Sequence, residues 1–310
     1  MVPTQLPAPI ERRPLAREAA IAVAAFGAFV LWIHALWPVA GALRSVVRPG
    51  ALAETGLGSL AATALTNSLV VVAGTVVFTV GYARVRGRPV PLGLPGRADL
   101  PVVAAAVLAP VAAVAAVQLL AGATGTDLAT LTGRSFASGA DPFTTGVVTA
   151  LGLFVGLPAY VLVTHALVQR TLRSAASPAV TIGLTTLLVG TVGPTGLVSG
   201  GLPLRVAAVT LLLVASIALP VYAADAFDRT WLSALSALPL AMFAAGALFQ
   251  WVTGLDGVAG AALGLAEVGL VGVSAYAYER TESLFPPALA YAAFVVARDA
   301  VAFLAGTGGV

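Results

Sequence analysis

Cysteine and lysine are both absent from this chain, and charged residues make up only 9% of its 310 positions. The lack of cysteine excludes disulfides, thiolate metal sites and a cysteine nucleophile. Histidine occurs only twice, at His34 and His165, which is too few for a zinc site built from three imidazoles. The two lie at different depths of their predicted helices, so we expect no metal and no other cofactor.

Apolar side chains dominate instead, forming 59% of the chain and giving a mean hydropathy of +0.99. A soluble domain of this size cannot bury that much apolar surface, so the solvent must be lipid. Nine apolar segments approach the bilayer-crossing length of about 20 residues. They cover residues 19–43, 59–82, 101–121, 145–168, 178–198, 206–224, 231–253, 258–278 and 287–305. Because lipid excludes open sheet, and barrel-like alternation is missing, the sequence predicts an all-α, polytopic transmembrane helix bundle.

The basic residues, all 16 of them arginine, predict the topology of the bundle. Between the apolar segments, eleven arginines fall on one predicted side of the membrane and four on the other. The larger set is Arg12, Arg13, Arg17, Arg84, Arg86, Arg88, Arg97, Arg170, Arg173, Arg229 and Arg280. Since positive residues accumulate on the cytoplasmic side, we expect a cytoplasmic amino terminus and an outside carboxyl terminus in the plasma membrane. The bilayer is the expected partner, and nucleic acid is not.

The segment 156–173 reads Gly-Leu-Pro-Ala-Tyr-Val-Leu-Val-Thr-His-Ala-Leu-Val-Gln-Arg-Thr-Leu-Arg. It resembles the first motif of the CAAX-protease and bacteriocin-processing (CPBP) family of intramembrane proteases. In that family a proline precedes a Glu-Glu-x-x-x-Arg signature, and a Gln/Arg-rich turn follows it. Here the proline (Pro158) and the basic exit are present. However, Tyr160 and Val161 stand at the two glutamate positions, and His165 stands at the arginine position.

The second family motif, Phe-x-x-x-His, has lost its histidine in either of two registers. Spacing from the first motif places it on Val189 and Gly193, and a competing register places it on Phe249 and Thr253. The distance to the third motif is longer than in the family by about two helices. Residues 204–253 are therefore either a two-helix insertion or a duplicated helix-loop-helix unit.

The third family motif, His-x-x-x-Asn or Asp, follows a loop that this chain matches closely. The loop reads Tyr-Glu-Arg-Thr-Glu-Ser-Leu over residues 278–284, and the motif positions after it hold Tyr291 and Val295. The resemblance covers residues 140–305, which we interpret as a CPBP-like core. Residues 1–18 form a polar cytoplasmic arm, and residues 19–139 supply the preceding transmembrane helices.

The resemblance implies an intramembrane metalloprotease whose glutamates and histidines activate water. Valine cannot take up a proton, and a phenol is a poor base at neutral pH. We therefore predict a catalytically inactive copy that binds membrane or prenylated clients as a scaffold or regulator. Two alternatives stay open: an active protease with its chemistry relocated to Glu267 and His165, or a small-solute or ion transporter built on Glu267, Arg298 and Asp299.

Those three charged residues lie within the last two apolar segments. A charge at the centre of a span costs about 2.5–3.5 kcal/mol, so each needs a partner. Glu267 and Arg298 are equally far from the turn at residues 279–286, which places them at one depth on antiparallel helices. The sequence predicts a buried ion pair between them. For His165, the simplest interpretation is an interfacial histidine that caps a helix end, and His34 is interpreted as a packing residue hydrogen-bonded to a neighbour.

Overall fold

The computed structural model describes residues 14–46, 59–126, 131–132, 142–190 and 257–306, and the regular elements in these ranges are all helical. The first helices are α1 (Pro14–Val46), α2 (Ser59–Val85), a 3-10 turn (Arg97–Asp99), α3 (Leu100–Thr124) and α4 (Pro142–Val161). They are followed by a π-helical segment (Leu162–Gln169), α5 (Arg170–Arg173), α6 (Pro178–Gly190), α7 (Gly257–Thr281) and α8 (Phe285–Gly306).

Six helices in the described ranges are long and apolar enough to cross a bilayer. They comprise α1, α2, α3, the continuous run from α4 through α5, α7 and α8. Each coincides with a predicted apolar segment, so the chain is a multi-pass integral membrane protein. Within the described residues α6 has 13 residues, fewer than a span needs.

Several predicted features lie outside the described residues. They are the spans at 206–224 and 231–253, the end of the span at 178–198, the 204–253 insertion, Gly193, Phe249 and Thr253. The predicted arm at 1–18 is covered only from Pro14, where α1 already begins.

The π-helical segment lies at the centre of the described bundle. It contacts α1, α2, α6 and α7, while α7 and α8 pack together on α3. The α1–α2 contact is close at Gly74, whose carbonyl accepts a 2.9 Å hydrogen bond from the Trp32 indole. A Cβ at Gly74 would overlap the end of the Leu36 side chain, which would have to shift to admit it.

The connection between α7 and α8 is shorter than the predicted turn at 279–286. Helix α7 continues to Thr281, and α8 already begins at Phe285. The two prolines at 286 and 287 fit the first turn of α8, where a missing backbone N–H costs nothing. Glu282 makes the turn in the left-handed region, with φ of 50°.

Arginines from separate loops meet at one end of the bundle, as the topology prediction requires of residues on one side. Arg86 contacts Glu18 of α1 at 2.5 Å. Arg173, at the end of α5, contacts Glu279 at 3.2 Å and Glu282 at 2.5 Å. The Ser283 hydroxyl in the α7–α8 turn donates to the Gly93 carbonyl in the loop after α2, so the loop and the turn share one face, which we call the arginine end.

Candidate functional site

The helix that carries residues 156–173 changes its hydrogen-bond pattern in the middle of that segment. From Leu162 to Gln169 it is π-helical, and the backbone N–H of Arg170 bonds the carbonyl of His165, five residues back. Pro158 removes one backbone donor just upstream. π-Helical turns are rare and concentrate at functional sites. The sequence predicted an ordinary α-helix here and gave no sign of the π-helical hydrogen bonds.

Four aromatic rings form a chain of ring contacts at the π-helical segment, and we call them the aromatic cluster. Tyr160 stacks on Tyr291 with ring centroids 4.8 Å apart, and its edge faces His165 at 5.6 Å. His165 in turn stacks on Tyr278 at 5.6 Å. All four side chains are buried. Three positions that the resemblance assigns to family motifs, 160, 165 and 291, therefore converge on one site.

Gly156 makes room for this stack. Its Cα faces the Tyr291 ring so closely that a Cβ would overlap the phenol hydroxyl. The glycine lies one turn before Tyr160 on α4, so α4 and α8 approach each other at the stack. A side chain at position 156 would push Tyr291 away from Tyr160.

His165 is held by Gln169, one turn further along. Its Nδ1 lies 2.6 Å from the Gln169 Oε1. The Gln169 amide nitrogen donates to the Ala275 carbonyl at 2.8 Å and to Glu279 at 3.0 Å, so the amide oxygen must be the acceptor for His165. The proton therefore sits on Nδ1 and leaves Nε2 as an acceptor. His165 is fully buried and its Nδ1 bonds a side chain instead of a backbone carbonyl, so its predicted role as a helix cap is wrong.

Gln169 also links the aromatic cluster to the arginine end. The other oxygen of the Glu279 carboxylate lies 3.2 Å from the Arg173 guanidinium. A chain of polar contacts thus runs from the imidazole through an amide and a carboxylate to an arginine. This chain ties the π-helical segment to the last turn of α7 and fixes the orientation of the His165 ring.

Several buried polar atoms on α4, the π-helical segment, α6 and α7 have no hydrogen-bond partner among the described residues. We call them the polar patch: the hydroxyls of Tyr160, Thr164, Thr181, Thr185 and Ser274, and Nε2 of His165. The Ser274 hydroxyl lies near the Tyr160 hydroxyl without meeting hydrogen-bond geometry. Thr181 and Thr185 are one turn apart on α6, the helix that packs against the π-helical segment and α7. Together these atoms offer buried donors and acceptors on helices that pack against one another.

The remaining motif positions carry no group that could move a proton. Val161, Val189 and Val295 are all buried aliphatic residues. Within the described part of the chain, no group of three or more histidine, aspartate and glutamate side chains could hold a metal ion. His34 is buried and bonds the Val30 carbonyl of its own helix at 2.7 Å, and its role as a packing residue stays an interpretation.

The charged residues of α7 and α8 form a separate polar site. Arg298 Nε lies 3.4 Å from the Asp299 carboxylate, and both side chains are buried. Thr149 of α4 donates to the same carboxylate at 3.0 Å. Glu267 lies within electrostatic range of Arg298, and a direct Glu267–Arg298 contact stays a prediction. Arg298 and Asp299 satisfy each other inside the bundle, which favours a structural role over an ion pathway.

The sequence did not predict Gln169 and Ser274 as site residues. It placed Tyr278 and Glu279 only in the loop that resembles the family loop. A signal existed for Gln169, because it follows His165 by four residues and one helical turn brings them together. No sequence signal pointed to Ser274, since its place in the site depends on how α7 packs on the π-helical segment.

Comparison with protein-family models, curated proteins and solved structures finds no match for this chain. The CPBP resemblance therefore rests on the motif residues at 156–173 and 278–284, and the membrane-protein class rests on the six apolar helices. The geometry of the aromatic cluster and the polar patch is the remaining basis for a function.

Proposed function

We propose that this chain is a CPBP-type membrane protein that has lost proteolysis and binds membrane or prenylated peptides at the polar patch, as a scaffold or regulator. In this proposal the chain crosses the plasma membrane nine times, with its amino terminus in the cytoplasm. The convergence of Tyr160, His165 and Tyr291 supports the motif register. The residue types at those positions support binding in place of hydrolysis.

The observation that carries the proposal is the set of unpaired buried polar atoms. Each buried hydroxyl or ring nitrogen without a partner costs roughly 1–3 kcal/mol. Native structures retain few such groups, and those they retain need an explanation. A peptide that unwinds in lipid has the complementary problem, since its own N–H and C=O groups lack partners there. Binding of the peptide at the polar patch would give hydrogen-bond partners to the unpaired atoms of the protein and to the backbone groups of the peptide.

The chemistry of the cluster disfavours water activation. Its one imidazole, His165, bonds an uncharged amide through Nδ1, so this bond brings no carboxylate to raise the basicity of the free Nε2. The nearest carboxylate in this network, Glu279, is engaged by Gln169 and Arg173. A hydrolytic site needs a base next to its water and a donor for the oxyanion. The stacked rings of Tyr160 and Tyr291 fill the place beside His165 where such a water would lie.

Removing single hydroxyls from the polar patch tests the proposal. We expect Thr185→Val and Ser274→Ala to leave thermal stability unchanged or higher, because each removes a buried group that has no partner. Both changes should weaken the binding of a fluorescent farnesylated peptide to nanodisc-embedded protein by roughly three- to tenfold. Fluorescence anisotropy measures the binding, and the same peptide without the farnesyl group shows what the lipid chain contributes.

Gly183→Ala is the matched control, because Gly183 is exposed on the same helix and has open space around its Cα. It should bind the peptide as the unmodified protein does. If Thr185→Val and Ser274→Ala both lower the thermal midpoint and leave binding intact, the hydroxyls serve the fold and the proposed site is wrong.

A further inference from the structure

A cleft of about 350 Å³ opens at the arginine end of the bundle. Its lining contains three arginines and two hydroxyl-bearing side chains: Arg88, Arg170, Arg173, Ser174 and Tyr278, with Pro91 and Glu282 completing it. The lining thus holds three arginines and one carboxylate, that of Glu282. The proposed peptide site uses only Tyr278 of this set, through its ring contact with His165.

The arginines of the cleft differ in how their charges are compensated. Arg173 contacts both Glu279 and Glu282, so its charge is matched. Arg88 lies 3.8 Å from Glu18, a carboxylate that already has a closer partner in Arg86. Arg170 has no carboxylate within 4.0 Å in the described part of the chain. It lies near the Tyr278 hydroxyl instead.

The walls of the cleft are fixed by contacts between elements. Tyr82 of α2 and Thr171 of α5 share a 2.7 Å hydrogen bond. Ser283, in the α7–α8 turn, donates to the Gly93 carbonyl at 2.5 Å and holds the loop after α2 in place. Arg88 also donates to the Arg170 carbonyl, at 3.5 Å. The arginines are therefore presented on a preorganised frame, which lowers the entropy lost on binding.

We propose that this cleft binds a phosphate group, and that its source is the headgroup of an anionic membrane phospholipid. Guanidinium groups bind phosphate oxygens through paired, charge-assisted hydrogen bonds, and the Tyr278 hydroxyl adds a donor. The cleft lies where the apolar helices end, which is the depth of lipid headgroups. The predicted cytoplasmic placement of this end would expose it to the anionic leaflet.

Thermal unfolding of the purified full chain in detergent micelles tests the site. Phosphatidic acid should raise the unfolding midpoint in a saturable way, whereas phosphatidylcholine should not. In Arg170→Gln the lipid concentration needed for half the effect should rise by roughly tenfold or more. Arg280→Gln is the matched control: Arg280 lies at the end of α7 but outside the cleft, over the Tyr276 ring. It should respond like the unmodified protein.

Two further additives in the same unfolding measurement identify the chemical group that the cleft binds. If inorganic phosphate gives the same Arg170-dependent shift without lipid, the phosphate site is confirmed and its source is soluble. If oleate, which is anionic but carries a carboxylate, acts as well as phosphatidic acid, the phosphate assignment is overturned. An equal response of Arg170→Gln and the unmodified protein to every additive also overturns it. Should Arg170→Gln fail to fold, Ser174→Glu places a negative charge in the cleft from an exposed position and must abolish the response.

Discussion

Gly156 shows how a single residue sets the geometry of the aromatic cluster. We expect Gly156→Ala to destabilise the protein by about 1–3 kcal/mol, because the new methyl group meets the Tyr291 hydroxyl. Adding Tyr291→Phe should recover part of that loss, since it removes the overlapping oxygen. Unfolding midpoints of the single and double variants measure the effect.

Gly152→Ala is the matched control for this overlap. It lies one turn earlier on α4 with nothing within 4 Å of its added Cβ, so it should be neutral or slightly stabilising. Equal effects of the two alanine substitutions would contradict the close packing of α4 on Tyr291.

The composition of the cluster was only partly predictable from single residues. Tyr160, His165 and Tyr291 could be placed together because the resemblance puts all three at motif positions. The burial of His165 was not predictable, since two arginines follow it closely in sequence and suggested an interface. Its true environment depends on Tyr278 and Gln169, which reach it through packing of α7 and through the π-helical turn.

At the scale of elements, the charged residues of α7 and α8 make a testable pairing. Arg298→Gln should destabilise the protein by roughly 3–5 kcal/mol, because it leaves the buried Asp299 carboxylate without its cation. Asp299→Asn should cost less, since the Thr149 hydroxyl can still donate to the amide oxygen. Equilibrium unfolding in mixed micelles measures both.

Charge reversal then tests whether Glu267 or Asp299 is the carboxylate that pairs with Arg298 and stabilises the bundle. If the predicted Glu267–Arg298 pair stabilises the bundle, Glu267→Arg combined with Arg298→Glu should fold where each single change does not. Equal damage from all three variants would contradict that pair. Recovery in Arg298→Gln with Asp299→Asn would assign the pairing to Asp299 alone.

The helices themselves were largely predictable, because bilayer thickness dictates the length of an apolar segment. The predicted segments at 59–82 and 258–278 lie within α2 and α7. The π-helical segment was not predictable, because its residues are ordinary helix formers and the change lies in hydrogen-bond register. The short turn before α8 was missed because the loop match suggested a longer polar connection.

For the whole molecule, the lack of cysteine allows a direct test of orientation. Cysteine introduced at Ser177 lies next to the arginine end, and cysteine at Thr124 lies at the far end of α3. We expect a membrane-impermeant maleimide to label the Thr124→Cys protein in intact cells. It should label Ser177→Cys only after the membrane is opened, because arginine-rich loops stay in the cytoplasm. Labelling of Ser177→Cys in intact cells would reverse the predicted topology.

Cleavage of a bound peptide tests most directly the proposal that a protease-like site has become a binding site. The farnesylated peptide is incubated with nanodisc-embedded protein and with the His165→Ala variant, and products are followed by mass spectrometry. We predict saturable binding with no cleavage above that of empty nanodiscs. Cleavage that His165→Ala or Glu267→Gln abolishes would contradict this claim and establish an active protease with relocated chemistry.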